Sequence, residues 1–439
     1  MTDSGGGFLP ALRYTLVCPE AARRIRLAGA VLLLAAFVLL AVASLHRPVA
    51  PWEFLVCLAA AWIGFGLALG EGDAPTGALF AVAVLARLAG LIAQPVYEDD
   101  WARYLWDGYR FLQDGTPYGV PPAEFFTDPN LSDEWHAVLN EVNHPHVPTI
   151  YAPALQVVFA VSAWLAPASL LALKTLLLAA DAVVCAVIAR IGGTPAALRY
   201  ALCPLVIFEV AFNAHADIVA IVFVMVAVTL AAARRPFASG AAMGLAVAGK
   251  VFALALLPFV LLRERWRAAA AVVLVVTMSY APFLLQGATE RAGLAAFAQG
   301  WEFNSTGFAL MKAAMGDSAA RIGAVLLSLL AGAWILWRWH RSQDRPWPPD
   351  AGPLFAVLFL LAPVVNAWYL LWLAPWAALY PAPWRFAAMA AVGLSYLTAS
   401  TLGFDAPGPY DHPVWVRPLE IALVILVIGI AYLVRTRKS

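Results

Sequence analysis

Three consecutive acids, Glu98, Asp99 and Asp100, stand directly after an apolar run of membrane-spanning length, and Arg103 and Arg110 follow them. The surrounding segment, VYEDDWARYLWDGYRFLQDGTPY (Val96 to Tyr118), lies between Pro95 and Gly115–Pro117, a pattern that predicts a helix begun after a proline and ended by a glycine. On that helix Asp100, Arg103, Tyr104 and Asp107 recur at i, i+3, i+4 and i+7 and share one face. Asp99, Trp106 and Arg110 form a neighbouring face, with Trp101 and Trp106 leaning toward the membrane interface that tryptophan prefers. The acids can simply complement a helix N-terminus. The same arrangement also suits base catalysis beside a lipid phosphate: a carboxylate takes the proton of an attacking hydroxyl while a cation holds the leaving phosphate.

Other polar residues are few, and each is a candidate for function because burial in hydrocarbon is costly. EVNHPHVPTIYAP carries His144, His146 and Tyr151 among Pro145, Pro148 and Pro153, which rule out a helix and predict an extended lead-in to the next span. Alternation points the two histidines the same way but supplies no third ligand, so a structural or substrate-contacting role is expected ahead of a metal. FEVAFNAHADIVA holds Glu209, Asn213, His215 and Asp217, and Lys250 follows beside Gly249 in an expected helix break. WEFNSTG adds Glu302 and Asn304, and PVVNAWYLLWLAPW adds Asn366, Trp368 and Tyr369. An ammonium in a helix break suits a phosphate. The structural alternative has Lys250 neutralising Asp217 or Glu209, and has Glu209 and Asp181 pairing with Lys174 or an arginine to hold helices together.

The elements that must position these groups follow from composition. The 439-residue chain is 63% hydrophobic and 13% charged, with mean hydropathy +0.78, far from the roughly 25% charged norm of soluble domains. The expected fold is all-α: a polytopic transmembrane bundle of about 11–13 hydrophobic helices, some broken or re-entrant, forming one domain over the whole chain. A net charge of +1 with scattered arginines argues against a nucleic-acid partner. Cys18, Cys57, Cys185 and Cys203 show no metal spacing and read as small buried residues.

Basic residues predict the orientation, because short cytoplasmic loops keep Lys and Arg. Arg23, Arg24 and Arg26 put the N-terminus inside, and spans at about 27–45, 52–70 and 77–95 carry the 97–150 loop to the outer face. Arg234 and Arg235, Arg263 to Arg267, Arg338 to Arg345, and Arg435 to Lys438 mark later inner ends, while loops 287–318 and 403–416 fall outside. The runs 237–262 and 352–380 are each too short for two full spans, so breaks are expected near Gly249–Lys250 and near Pro363–Tyr369. Between 151 and 190 the count fails: either one run is re-entrant or Arg190 and Arg199 lie outside.

Taken in order, EDDWARYLWDGYRFLQDGTPY, NHPHVPTIYAP, LKTLLLAADAVV, FEVAFNAHAD, GLAVAGKVFALALLP, WEFNSTG and PVVNAWYLLWLAP cover residues 97 to about 376. Together they resemble the GT-C superfamily of polytopic glycosyltransferases, and within it the polyprenol-phosphate-mannose-dependent mannosyltransferases and the first mannosyltransferase of GPI-anchor synthesis. The resemblance implies an inverting hexosyltransferase, with mannose ahead of other hexoses. It would work on the extracytoplasmic side of the cytoplasmic membrane, without a cofactor, on a polyprenyl-phosphate sugar donor and a lipid or glycan acceptor. It makes Asp100 or Asp99 the catalytic base, a choice left open because position 101 is Trp instead of a second spaced acid; Asp100 is taken as the lead base with Asp99 in reserve. Arg103 and Lys250 become donor phosphate partners. Tyr104, Asp107, His144, Tyr151, Asn213, His215, Asp217, Glu302, Asn304, Asn366, Trp368 and Tyr369 become substrate contacts. Ala214 replaces a usual glycine and Asn366 a frequent histidine, so acceptor identity does not carry over. The alternatives are a secondary transporter, which normally shows hydropathy repeats that are not visible here, and a lipid-linked glycan ligase or flippase.

Overall fold

The computed structural model describes residues 19–46, 48–71, 75–344, 346–400 and 413–436. Cys18, Arg345, Arg437, Lys438 and the 403–412 part of the last expected outer loop lie outside the described residues.

In chain order the helices are α1 (Pro19–His46), α2 (Pro51–Ala68), α3 (Thr76–Ile92), α4 (Asp100–Asp114), α5 (Asp133–Asn140), α6 (Pro153–Leu165), α7 (Leu170–Ala201) and α8 (Pro204–Val206). After a π-helical stretch, Ile207–Phe212, come α9 (Asp217–Ala232), α10 (Pro236–Val247), α11 (Leu257–Leu285), α12 (Arg291–Gly300) and α13 (Gly307–Met315). The chain continues with α14 (Asp317–Arg341), α15 (Gly352–Leu361), α16 (Ala374–Leu379), α17 (Pro383–Ala391) and α18 (Val416–Thr436). Six of them, α1, α2, α7, α11, α14 and α18, are long and apolar enough to cross a membrane, and five shorter apolar helices accompany them. The protein is an all-α polytopic membrane protein. Large apolar side chains such as Leu330 (67% exposed) and Val273 (64% exposed) face outward, which a lipid environment tolerates because acyl chains are as apolar as leucine.

Both expected breaks occur. α10 ends at Val247, the chain turns through Lys250, and a 3₁₀ segment, Val251–Ala255, leads into α11. α15 ends at Leu361, and after an extended stretch a second 3₁₀ segment, Ala367–Trp372, leads into α16. That stretch bonds to the loop before α13: the Phe303 N–H donates to the Pro363 carbonyl at 3.0 Å and the Val365 N–H to the Phe303 carbonyl at 2.9 Å. Unwound backbone at this depth is stable only when it finds such partners or lines a cavity.

Two internal cations are held in different ways. Arg87 Nε lies 2.5 Å from Asp181 Oδ2, and the Tyr200 hydroxyl donates to the other carboxylate oxygen at 2.8 Å. Lys174 donates to the carbonyls of Gly90 (3.0 Å) and Ala93 (2.7 Å), covering the C-terminus of α3 where a cation is favoured. Asp181 therefore takes an arginine, while Lys174 takes backbone.

The 151–166 run forms α6, whose 13 residues rise only about 20 Å, short of the ~30 Å hydrocarbon core. It packs against α4. The helices approach closely at Gly108, where a Cβ would stand 2.2 Å from the Phe159 carbonyl oxygen. α4 itself begins at Asp100, later than Pro95 alone would place it, and stops at Gly115, whose φ of 73° suits glycine. Trp106 does not face outward as expected: it is 1% exposed, packed on Tyr109 and Phe125.

Candidate active site

The shared face of α4 divides into a clamp and an open end. In the clamp, Asp107 accepts from Arg103 Nε at 3.2 Å, from Gln156 Nε2 at 3.0 Å and from the Thr149 hydroxyl. Arg103 also donates to the Val147 carbonyl. These bonds lock α4 to the 147–149 segment and to α6; the expected extended lead-in is interrupted just before it by a turn, in which the Val147 N–H donates to the His144 carbonyl at 2.9 Å. Arg103 and Asp107, expected at phosphate and substrate, thus have much of their bonding capacity engaged with protein groups.

At the open end, Asp100 is half-buried and accepts from the Tyr104 hydroxyl at 3.4 Å. Tyr104 stacks on Phe159 at 4.6 Å and meets Tyr151 edge-on at 4.9 Å. Asp99 makes no side-chain bond to the helix N-terminus and pairs instead with Asn143. Burial and the neighbouring Asp100 charge push its carboxyl up to about 7. Glu98 is pushed up to about 8, chiefly by burial, against the opposing pull of His215. His144, at φ 48°, sets its ring 4.5 Å from that of Trp301. Burial holds His144 below the usual imidazole range although the Asp100 charge acts in the other direction. His146 is exposed. Among the described residues no group of three or more His, Cys, Asp or Glu is arranged to hold a metal.

Beneath the acids lies the segment that follows the π-helix. Its wide turn carries Glu209, and Ala214, at φ 60°, bends the chain in the left-handed region. The bend brings His215 Nδ1 2.9 Å from Glu209 Oε2 and His215 Nε2 3.8 Å from Glu98 Oε2, with the ring stacked on Trp368 at 4.1 Å. Tyr396 donates its hydroxyl to Glu209 at 2.9 Å. Asn213 donates to Tyr396 at 3.2 Å and accepts the Val96 N–H at 2.9 Å, latching the segment that leads into the acids.

Lys250 completes this end. Its ammonium donates to Asp217 Oδ2 at 3.0 Å, and its nearest rings are Tyr151 at 5.8 Å and Tyr369 at 6.0 Å. Tyr369 bonds to Asn366 and lies within electrostatic reach of both Asp217 and Asp100. Asp100, Tyr104, Tyr151, Asp217, Lys250 and Tyr369 therefore form one cluster contributed by five stretches of chain.

Glu302 and Asn304 join it only indirectly. Glu302 is held by Lys312 at 2.6 Å and Ser305 at 2.7 Å, and Asn304 donates to Glu420 of α18 at 3.1 Å. Their loop reaches the cluster through its backbone bonds to 363–365. Sequence reasoning missed Asn143, Glu420 and Tyr396, whose pairings span long separations; it placed Glu98 within the acidic trio at the helix start but not against His215.

Residues 21–264 match the model of the MptA_B family, described as "Alpha-(1->6)-mannopyranosyltransferase, N-terminal domain". The chain belongs to this family. The matched range contains α4, the π-helix with the His215 bend, and Lys250, so most of the cluster lies in the part the mannosyltransferase family defines. Tyr369 and the Asn366 break lie beyond it. No curated protein and no solved structure matches the chain.

Proposed function

We propose that this mannosyltransferase moves mannose from a polyprenyl-phosphate carrier to a lipid-linked or glycan acceptor, with inversion, at the extracytoplasmic side of the cytoplasmic membrane. The observation that carries the reading is the joining of a half-buried carboxylate, Asp100, to a cation, Lys250, through the shared wall of Tyr104, Tyr151 and Tyr369. The family description supports an α-(1→6) product linkage.

In this reading Asp100 takes the proton of the acceptor hydroxyl as its oxygen attacks the anomeric carbon. The bond from that carbon to the phosphate oxygen breaks on the opposite side, and the phosphate leaves with the bonding pair. Lys250 stabilises the departing charge: an ammonium has three donors, and Asp217 takes one of them. Asp99 is the reserve base. Purified protein in liposomes, supplied with polyprenyl-phosphate mannose or with a nucleotide mannose, tests the reading. Transfer from the lipid donor alone, with the product's anomeric configuration opposite to the donor's, is expected. Transfer from the nucleotide sugar, or retention of configuration, overturns it.

A further inference from the structure

Four arginines converge at the end of the bundle away from the acids. α9 begins at Asp217 and runs 16 residues, about 24 Å, before turning at Arg234. α10 returns to Lys250, and α11 runs back until its non-helical residue, Arg265. The two turns meet, since Arg234 Nη1 and Arg263 Nε lie 3.8 and 3.6 Å from the same Glu264 oxygen. Arg234, Arg263, Arg265 and Arg267, with Glu264 and Trp266, line a recess of about 380 Å³. One acid lines it against four guanidinium groups.

Arg263 is fixed: its Nε donates to the Ala231 carbonyl and its guanidinium lies 4.4 Å from the centre of the Trp347 ring. Arg234, Arg265 and Arg267 are exposed, as is Trp266. Arg234 at φ 55°, and Arg265 at φ 58° and ψ −148°, occupy backbone conformations that strain a side chain and suit glycine. Strained arginines around an under-neutralised recess have a physical rationale if an anion occupies it.

We propose that this recess binds the phosphate of an anionic phospholipid headgroup. Arg234, Arg265 and Arg267 donate to the phosphate oxygens, Arg263 supplies fixed charge behind them, and Trp266 lies at headgroup level. The guanidinium fork matches phosphate oxygens in pairs. Basic recesses between helices at the membrane surface are where anionic headgroups are held, and an exposed tryptophan favours that level.

The test measures binding of phosphatidylglycerol, in mixed micelles, to the purified full chain, alongside thermal unfolding. Arg265→Gly removes a guanidinium and relieves its backbone, so the variant should melt higher than wild type without anionic lipid, yet bind phosphatidylglycerol about tenfold or more weakly. Arg234→Gln with Arg267→Gln should weaken binding further, and phosphatidylcholine should bind none of the three proteins. Equal phosphatidylglycerol affinity in wild type and both variants overturns the proposal. So does inorganic phosphate binding as tightly as the lipid, or phosphatidylcholine binding equally well.

Discussion

Lys250 Nζ lies 3.0 Å from Asp217 Oδ2, and the other oxygen of that carboxylate accepts the Trp372 indole N–H at 2.8 Å. Asp217 is fully buried. Lys250 is thus the charge that makes a buried acid tolerable as well as the proposed phosphate partner.

The two roles separate by experiment. Lys250→Met strands the Asp217 charge, a loss of about 3–5 kcal/mol when one member of a buried pair is removed, and should lower the melting temperature in detergent. Adding Asp217→Asn should recover much of that stability. Donor use should not recover: the apparent KM for the lipid-phosphate sugar should stay at least about tenfold raised, roughly 1.4 kcal/mol. A double variant with wild-type KM would leave Lys250 a packing charge only.

Asn213 joins the Val96 N–H to the Tyr396 hydroxyl and so fixes the approach to Glu98–Asp100. Asn213→Ala leaves a buried donor unsatisfied, worth about 1–3 kcal/mol. The expected result is a lower melting temperature together with a lower kcat, because the acids lose their latch. A variant with lowered melting temperature and unchanged kcat would confine Asn213 to stability.

How much of this was legible in the sequence depends on how local each signal was. The face of α4 and both broken helices were readable, since helical spacing and short apolar runs are properties of one stretch. Trp106 was misread because an aromatic at an expected membrane surface looks the same whether it faces lipid or a folded loop, and only Phe125 and Tyr109 close over it. Arg103 looked free for phosphate because the Val147 carbonyl and the Thr149 and Gln156 donors to Asp107 lie more than forty residues along the chain. Tyr396 carried no signal at all, since its partner Glu209 is 187 residues away.

Asp99 gives a pH signature. Its carboxyl is raised to about 7 in the fold, so above the ordinary range the folded state keeps a proton the unfolded chain has lost. Stability should therefore fall as pH rises from the ordinary carboxylate value through about 7, by up to roughly 1 kcal/mol per pH unit. Asp99→Asn should flatten that slope in melting temperatures taken between about pH 5 and about pH 7. An identical slope in the variant would contradict the raised value.

Sidedness can be read with single cysteines at exposed positions. Thr127→Cys in the loop after α4 should react with an impermeant maleimide on intact cells, whereas Arg235→Cys and Gln343→Cys should react only after permeabilisation. The reverse pattern would put the acids on the cytoplasmic side.

The central claim is that Asp100 accepts the acceptor's proton. Its most direct test is the single-turnover rate of mannose transfer from a polyprenyl-phosphate donor by Asp100→Asn and Asp99→Asn beside wild type, with donor binding and melting temperature measured on the same preparations. Loss of a general base predicts a fall of about 10²–10⁴-fold for Asp100→Asn, with donor binding and folding retained, and a much smaller fall for Asp99→Asn. A folded Asp100→Asn protein that transfers mannose at the wild-type rate would contradict the account.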